Sequence, residues 1–561
     1  MDDTTFTDRP STLADVLSYL KTAEGLTERQ RRDQRSAVSC FCRITGRDAS
    51  EVIVDIPALR KELNKLHHVQ VGIAKPTLAN IKTNLRLALQ TFGALPARDR
   101  QRQISDRWQS FLAALTKPYQ TSFLTRLAGF CTAIGVEPED VSDAIMAAFH
   151  AHLETRLLCG DPENICREAK NKFNAIVLEK HLPVPRLTTR KTSRRNLPLS
   201  AYPMSIQEDL EALLAKRRKP DLFDEKAVSR AHSTVTLRNV KAHVRQALGA
   251  AISAGLTPGD FTSLAALVGK DGVVATFTEL RRRNGGEFLK AHYEIAYTLL
   301  GIARHHVDAP QADIDRIANV KRRIAQELDL RGGTMGDRPK RQLEQFIYEP
   351  ENVHRLLLLP EKVLAGLQNA SPTRNNAIEA MRAAAIAILL SCPIRIKNLS
   401  ALELGTHIQP VQLNGKKRFR LQLKSSEVKN HVNIEAVLAA YVSRLLDIYL
   451  SRYRKLITSQ PTTVLFPTRD GGLRNPGDFG ASLTKCVHDA TGIHLTPHTF
   501  RHFAAYLHLR ERPGEYLKVQ KALGHKKLDT TIKFYAPLTS ASALEEYGNL
   551  LDAIWETGKK R

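Results

Sequence analysis

The stretch LTPHTFRHFAAYLHL (residues 495–509) places a histidine and an arginine three residues apart at the start of a predicted helix. We predict Thr496 as the N-cap and Pro497 as the first helical residue. The N-terminus of a helix carries free N–H groups and positive potential, so His498 and Arg501 on one face indicate a phosphate-binding position. The predicted buried stripe on another face consists of Phe500, Ala504 and Leu507.

The His-x-x-Arg pair alone is weak evidence. With 19 His and 83 Lys plus Arg in 561 residues, roughly three His-x-x-basic pairs are expected by chance. The interpretation therefore depends on what surrounds the pair.

A second pattern follows in VQKALGH (residues 519–525), which predicts a short helix that ends at Gly524 and presents His525 just beyond its end. Another short helix is predicted from about Asp529, and it carries Tyr535. A single tyrosine of this kind is usually a core or interface residue. Tyr535 is a candidate site residue because it follows His525 by only ten positions.

An apolar helix upstream leads to another arginine. The segment NAIEAMRAAAIAILLSC (residues 376–392) predicts a buried helix, and Pro393 makes its continuation beyond Cys392 unfavourable. Arg395 follows at once. A guanidinium at the mouth of a buried helix must be paired or directed at a ligand, and its planar fork suits a phosphate.

A hairpin follows the apolar helix. Asn414-Gly415 is a strong two-residue turn signal. The alternation after it predicts a strand of a three-stranded antiparallel sheet, with Lys424 on the polar face at its end. The apolar residues of that strand are Phe419, Leu421 and Leu423.

Taken together, these residues resemble the catalytic signature of the tyrosine recombinases, the phage integrase family. The signature comprises, in chain order, Arg395, Lys424, His498, Arg501, His525 and Tyr535. The specific resemblance covers about residues 346–540. One departure is Asn398, which stands where the family commonly has an acidic residue, three positions after the first arginine.

The resemblance implies a mechanism for cutting a phosphodiester. Arg395 and Arg501 would hold the non-bridging oxygens, with His498 and His525 as further donors. Tyr535 would attack and form a 3′-phosphotyrosyl link, with His498 as its proton acceptor. Lys424 would be the general acid for the leaving 5′-oxygen. The expected reaction uses no metal and no cofactor.

The resemblance also implies partners. The expected substrate is double-stranded DNA, and the expected assembly is a homo-tetramer on two DNA sites, alone or with sibling recombinases of the same mobile genetic element. The C-terminal segment SALEEYGNLLDAIW (residues 542–555) has an apolar stripe at helical spacing. It either packs on its own chain or docks on a partner.

The first 330 residues read as mainly helical, because apolar residues recur there at helical spacing. Two of these segments resemble each other: TLANIKTNLRLAL (77–89) and TLRNVKAHVRQAL (236–248). They indicate either a duplicated helical module or convergence of two amphipathic helices. The basic residues that we predict to contact DNA lie on these helices and in the stretch between them; they are Lys82, Arg86, Lys241, Arg245, Arg190, Lys191, Arg194 and Arg195.

The predicted fold class is mainly α with a small antiparallel β-sheet in the catalytic domain. The predicted domains are a helical N-terminal module (1–182), a basic linker (183–200), a helical core-binding domain (201–330), a linker (331–345) and a catalytic domain with a C-terminal helix (346–561).

The bulk composition agrees with a nucleic-acid partner. The net charge is +25 and the positive residues are spread over many segments, which is typical of polyanion binders. The chain starts with a polar, acidic segment and has no apolar run of membrane-spanning length, so we expect a cytoplasmic protein, associated with the nucleoid when bound to DNA. The seven cysteines are scattered without metal-type spacing, so we expect free thiols and no metal site.

Three other functions compete with recombination. The first is a DNA-binding accessory factor that keeps the fold without the reaction. The second is a related strand transferase, such as a type IB topoisomerase or a telomere resolvase. The third is a basic scaffold, for which the six signature residues would be a coincidence.

Overall fold

The computed structural model describes most of the chain. The described residues are 10–96, 104–113, 118–179, 181, 184, 186–188, 196–220, 223, 231–330, 335–529, 531–536, 548 and 551–552, with residues 118–122 described in backbone only. The chain divides into two compact units. One unit combines the ranges Met1–Leu187 and Met335–Arg561, and the other is Thr188–Thr334.

The range before residue 188 is helical, as predicted. Its helices are α1 (Leu13–Thr22), α2 (Glu28–Thr45), α3 (Ile56–Lys65), α4 (Lys75–Thr91), α5 (Asp106–Ala113), α6 (Pro118–Ala133), α7 (Asp143–Arg156) and α8 (Pro162–Glu179). Among the described residues here, strand-type pairing is limited to an isolated bridge between Thr12 and Ile53. Two apolar clusters form the core, one around α1 to α4 and one around α5 to α8.

The unit Thr188–Thr334 is also helical. Its helices are α9 (Met204–Arg218), α10 (Thr234–Ser253), α11 (Leu264–Val268), α12 (Lys270–Arg283), α13 (Lys290–His305) and α14 (Gln311–Glu327). They enclose one apolar cluster. The predicted stripes of the two similar segments are confirmed, since every member is buried: Leu78, Ile81, Leu85 and Leu89 in α4, and Leu237, Val240, Val244 and Leu248 in α10.

The range after residue 334 contains helices and the sheet. Its helices are α15 (Asp337–Ile347), α16 (Glu351–Leu367), α17 (Arg374–Ser391), α18 (Ile396–Ser400), α19 (Ala440–Ile448), α20 (Pro476–Thr491), α21 (Thr499–Glu511) and α22 (Tyr516–Leu523). A π-helical turn (Tyr449–Tyr453) follows α19. Residues 531–536 are helical as well. Helix α15 begins inside the range 331–345 that was predicted as a linker, and it buries Leu343 and Phe346 in the core.

The predicted three-stranded antiparallel sheet is confirmed. Strands β1 (Ile408–Leu413), β2 (Lys416–Leu423) and β3 (Ile434–Val437) lie in the order β1-β2-β3. At the first turn, Asn414 (φ 51°) and Gly415 (φ 70°) are both left-handed, as a tight hairpin with twisted strands requires. The apolar face of β2 is buried, so the alternation in sequence had indicated the correct face.

Helix α17 is the central helix of this range. Ten of its residues are buried, and it packs against α16, α19, α20 and α21. Its C-cap is Cys392, directly before Pro393, as predicted. The mainly helical fold with one small antiparallel sheet is therefore the fold of this chain.

Two details of α21 were predicted incorrectly. The helix begins at Thr499, and not at Pro497, because residues 496–498 form a turn in which the N–H of Thr499 donates to the carbonyl of Thr496 (2.9 Å). The buried surface also differs from the predicted stripe, since Phe500 is buried whereas Ala504 and Leu507 are only partly buried. It includes Arg501 and His502, because α15, α17 and α22 all pack against this helix.

All seven cysteines are free thiols, as expected. No helix in the described part of the chain has both the length and the apolar character that crossing a membrane requires. Most of the C-terminal segment 542–555 lies outside the described residues, so its docking stays a prediction.

A close helix contact gives the first testable prediction. A Cβ on Gly272 would lie 2.5 Å from the carbonyl oxygen of Ala266 and 2.6 Å from that of Leu267. Gly272→Ala should therefore force α11 and α12 apart and lower the free energy of unfolding by about 1–3 kcal/mol. Calorimetric scans of the full chain would measure this as a lower Tm.

Gly366→Ala is the matched control, since Gly366 lies in α16 with nothing within 4 Å of its Cβ position. Alanine is the better helix former, so this change should raise the free energy of unfolding by ~0.5–1 kcal/mol. Equal effects of the two substitutions would contradict the tight contact at Gly272.

Candidate active site

Arg501 lies at the centre of the candidate site. Helix α21 carries its side chain into the core, where only 4% of the residue is exposed. Its guanidinium donates to the carbonyl of Pro393, just after α17 (2.6 Å), and to the carbonyl of Leu523, the last residue of α22. Burial, followed by the charge of Arg395, lowers the pKa of Arg501 to about 10, so it stays charged at neutral pH.

Arg395 lies directly before α18, and a loop residue fixes its side chain. Its Nη2 donates to Oδ1 of Asn430 (3.0 Å), and Nδ2 of Asn430 donates to the carbonyl of Gly524 (2.9 Å). Burial lowers the pKa of Arg395. Asn430 therefore links Arg395 to the end of α22.

Asn398 does not contact Arg395 through any described hydrogen bond. It is buried, and its Nδ2 donates to the carbonyl of Glu427 (2.9 Å) in the loop between β2 and β3. A carboxylate could not donate this hydrogen bond. The amide at position 398 therefore positions the loop, and Asn430 of the same loop holds the arginine.

His525 lies just beyond the left-handed C-cap Gly524 (φ 61°), as the sequence predicted. Its backbone N–H donates to the carbonyl of Gln520 (3.0 Å), and its Nδ1 lies 2.9 Å from Oγ1 of Thr531. Burial, followed by the charges of Arg501 and Arg395, lowers the pKa of His525 to about 4. The imidazole is therefore neutral while no anion occupies the site.

Tyr535 lies in the helical segment 531–536, and only 1% of it is exposed. Its ring is parallel to that of His525, with centroids 6.5 Å apart. The ring belongs to a small apolar cluster formed with Ala505, Leu509, Val519 and Leu523. Burial raises the pKa of Tyr535, although the charge of Arg501 acts in the opposite direction. The phenol is therefore protonated in this conformation.

His502 is the functional side chain that sequence reasoning missed. Its Nδ1 lies 2.9 Å from the hydroxyl of Tyr535, within hydrogen-bond distance. Burial, followed by the charges of His498, Arg501 and His525, lowers its pKa to about 4. The available signal was its position directly after Arg501 and four residues after His498, which puts both histidines on one helix face.

His498 is exposed at the N-cap position of α21. Partial desolvation lowers its pKa, as do the charges of Arg501, Arg395 and Lys429. Its ring lies 5.0 Å from that of His502 in an edge-on arrangement. His498 is thus next to both arginines, whereas the tyrosine hydroxyl faces His502.

Lys424 is exposed just after β2. Its backbone N–H donates to Oε2 of Glu427 (2.7 Å), and its charge contributes to the lowered pKa of that carboxyl, which results mainly from the hydrogen bond with His407. No described contact joins the Lys424 side chain to Tyr535 or to the arginines. The structure thus brings five of the six signature residues together and leaves Lys424 at the edge of the loop.

The buried guanidinium of Arg501, the partly buried guanidinium of Arg395 and three imidazoles thus lie near one phenol, and their positive charge suits an anion. Within the described residues, no group of three or more His, Cys, Asp or Glu side chains could hold a metal ion. Residues 358–541, which contain all of these groups, match the family model described as the phage integrase family. Residues 358–541 therefore form a domain of the phage integrase family.

Three solved structures illustrate what this chain is similar to. One is the XerH site-specific recombinase bound to a palindromic difH substrate in a post-cleavage complex, with 15% identity, a TM-score of 0.38, and coverage of 63% of this chain and 99% of that chain. The XerA recombinase has 16% identity and a TM-score of 0.26, with 61% and 98% covered. A lambda integrase dimer bound to a COC′ core site has 14% identity and a TM-score of 0.33, with 58% and 95% covered. A comparison with curated protein sequences found no match.

Four of the predicted DNA-contacting residues lie on two separate helices of this chain. Lys241 on α10 pairs with Glu211 (2.6 Å), and Arg245 lies one turn further along α10. Lys82 and Arg86 are on α4, where Nζ of Lys82 lies 3.5 Å from the carbonyl of Leu66. The predicted residues of the basic stretch, Arg190, Lys191, Arg194 and Arg195, lie outside the described residues.

The buried, neutral His502 predicts acid sensitivity. Its pKa is about 4 in the folded chain and near 6.5 in an unfolded one, so the unfolded chain binds more protons between these values. The contribution of neutral His502 to the free energy of unfolding is complete above pH 6.5. It is lost as the pH falls towards 4, which lowers the free energy of unfolding by up to ~3 kcal/mol. Calorimetric Tm values of wild type and His502→Gln across this range would measure it.

The variant should show a flatter decline of Tm below pH 6.5 than wild type. His354→Gln, at an exposed position of α16, is the control and should decline like wild type. A His502→Gln profile parallel to that of wild type would show that His502 is not buried in neutral form.

Proposed function

We propose that this integrase-family chain is a site-specific DNA recombinase that cuts and rejoins strands through a covalent 3′-phosphotyrosyl intermediate. Family membership supports site-specific recombination in general. The observation that carries the specific reaction is the grouping of Arg395, Arg501, His498 and His525 in one site next to Tyr535.

The two arginines would bind the scissile phosphate. A phosphodiester is already anionic, and nucleophilic attack adds charge to its non-bridging oxygens. The charge of Arg395 contributes to the lowered pKa of Arg501, so a phosphate between the two groups would relieve this repulsion. The same anion would raise the pKa of His498 and of His525, which makes both better hydrogen-bond donors to the transition state.

Tyr535 would be the nucleophile. Its Oη forms a bond to phosphorus, the bond from phosphorus to the 5′-oxygen breaks, and the phenolic proton leaves to a base. In the described conformation the phenol is buried and faces His502, whose low pKa makes it a poor base. We propose that His502 holds the protonated phenol at rest, and that Tyr535 moves to the bound phosphate, where His498 accepts the proton.

Lys424 would protonate the leaving 5′-oxygen. Its exposed position on the loop between β2 and β3 supports contact with the scissile strand once DNA is bound. Because the phosphotyrosyl bond conserves the phosphodiester energy, a 5′-hydroxyl from a second duplex could reverse the step without ATP. The proposed assembly is four protomers on two duplexes, and the proposed setting is a mobile genetic element in the cytoplasm, alone or with sibling recombinases.

An accessory DNA-binding factor of the same fold remains the second candidate. It would bind DNA in the same way but form no covalent link. The conjunction of two arginines, three imidazoles and a phenol favours the enzyme, because Arg501, His502 and Tyr535 are buried and such groups are costly to bury without a function.

Covalent trapping tests the proposed reaction. Wild type is incubated without divalent metal with end-labelled fragments of the DNA that flanks its gene. We expect a protease-sensitive, slowly migrating band on a denaturing gel, and we expect none with Tyr535→Phe, because that variant lacks the nucleophilic oxygen. The control is Tyr506→Phe, which changes a different buried tyrosine, located on α21, and should still give the band. A band with Tyr535→Phe, or none with wild type at saturating binding, would refute the proposal.

Asn430 provides a test of the arginine's orientation. Asn430→Ala removes the bond that holds Arg395, so it should slow covalent cleavage by about tenfold, the equivalent of one hydrogen bond of ~1–1.5 kcal/mol, with DNA binding retained. Asn433→Ala is the matched control, since Oδ1 of Asn433 accepts from the N–H of Ser425 (2.6 Å) in the same loop without touching Arg395. Equal losses of cleavage rate in both variants would show that disturbance of the whole loop, and not loss of the bond to Arg395, is the cause.

A further inference from the structure

A groove in the N-terminal range has no role in the proposed reaction. It lies between α4, α6 and α7 and has a volume of about 600 Å³. Four cationic side chains line it: Lys82, Arg86, Arg126 and Arg156. We call it the α4 groove. The remaining lining includes His152 and apolar side chains such as Phe149 and Leu153.

The positive charge of the α4 groove is local. Residues 1–187 contain 26 Lys and Arg against 22 Asp and Glu, so this range is nearly balanced as a whole. No carboxylate is among the described residues that line the groove. Glu154 on α7 contacts the guanidinium of Arg60 on α3. The described lining of the groove thus contains four cationic side chains and no carboxylate.

The sequence similarity between α4 and α10 includes two of these cations. When TLANIKTNLRLAL is superposed on TLRNVKAHVRQAL, Lys82 corresponds to Lys241 and Arg86 to Arg245. Lys241 and Arg245 also line a groove of their own unit, together with Arg238. Both helices bury the equivalent apolar stripe. The same sequence pattern thus presents the same pair of cations at a groove in each module.

We propose that the α4 groove binds the phosphate backbone of double-stranded DNA, as a contact separate from the candidate active site. Lys82 and Arg86 are one helical turn apart, about 6 Å along the axis, so they can reach neighbouring phosphates of one strand. Arg126 and Arg156 are exposed on the opposite wall. Contacts of this kind position a protein on the duplex without reading its sequence. The proposal depends on the proposed function in one respect, which is that DNA is the partner.

The salt dependence of DNA binding tests the groove. Each phosphate contact contributes about −0.9 to the slope of log K against log salt concentration. The full-length chain in a Tyr535→Phe background binds a long duplex, and Lys82→Gln/Arg86→Gln should make the slope shallower by roughly 2. Arg126→Gln/Arg156→Gln, at two exposed positions, should have the same effect. These second substitutions keep the test valid if the first pair disturbs folding.

Arg29→Gln/Lys61→Gln is the matched control. It removes two exposed cations of the same range that do not line the groove, so its slope should equal that of the parent. Equal slopes in the parent, the control and both groove variants would overturn the proposal. So would groove variants that keep the parent slope on duplex DNA but lose binding to single-stranded RNA of equal length, because the partner would then be RNA.

The two proposals fail in different ways. The slope is measured with a variant that cannot form the covalent adduct, so absence of an adduct in wild type counts only against the proposed reaction. An unchanged slope in the groove variants, with the adduct present in wild type, counts only against the groove.

Discussion

The hydrogen bonds from the Arg501 guanidinium to the carbonyls of Pro393 and Leu523 are the interaction on which the rest of the site depends. These bonds join α21 to the ends of α17 and α22, and a buried guanidinium must be satisfied in this way or it destabilises the fold. Burial is the main reason that the pKa values of His502 and His525 are low, and the positive charge of the same guanidinium lowers them further. Structure and chemistry are therefore coupled, since a change that frees Arg501 would disturb both the packing of three helices and the charge of the site.

The loop between β2 and β3 provides the second constraint. Asn398 holds its Glu427 carbonyl, and Asn430 connects Arg395 with Gly524 at the end of α22. Asn398 stands where the phage integrase family commonly has an acidic residue. The structure shows a different arrangement, in which an amide donor at 398 places the loop and the loop supplies the acceptor for the arginine.

The state of Tyr535 follows from its surroundings. A phenol that is buried in an apolar cluster and faces a neutral imidazole is protonated and shielded from a ligand. The positive charges of Arg395 and Arg501 nearby would attract a phosphate. In the proposed reaction, an anion would change the protonation of the histidines and give the tyrosine a reason to move, which would link DNA binding to the start of chemistry.

The sequence by itself determined the elements and the order of the signature residues. Helical periodicity gave α4, α10 and α17, Asn414-Gly415 gave the hairpin, and Gly524 gave the end of α22, because these are local properties of the backbone and its apolar pattern. Tertiary structure alone decided that His502 faces Tyr535, that Asn430 holds Arg395 and that Arg501 is buried. These contacts join residues that are 33, 35 and 108 positions apart, and no local pattern fixes the distance between side chains so far apart along the chain. The start of α21 was misplaced for the same reason: its first turn and its wide buried face are set by the helices packed around it.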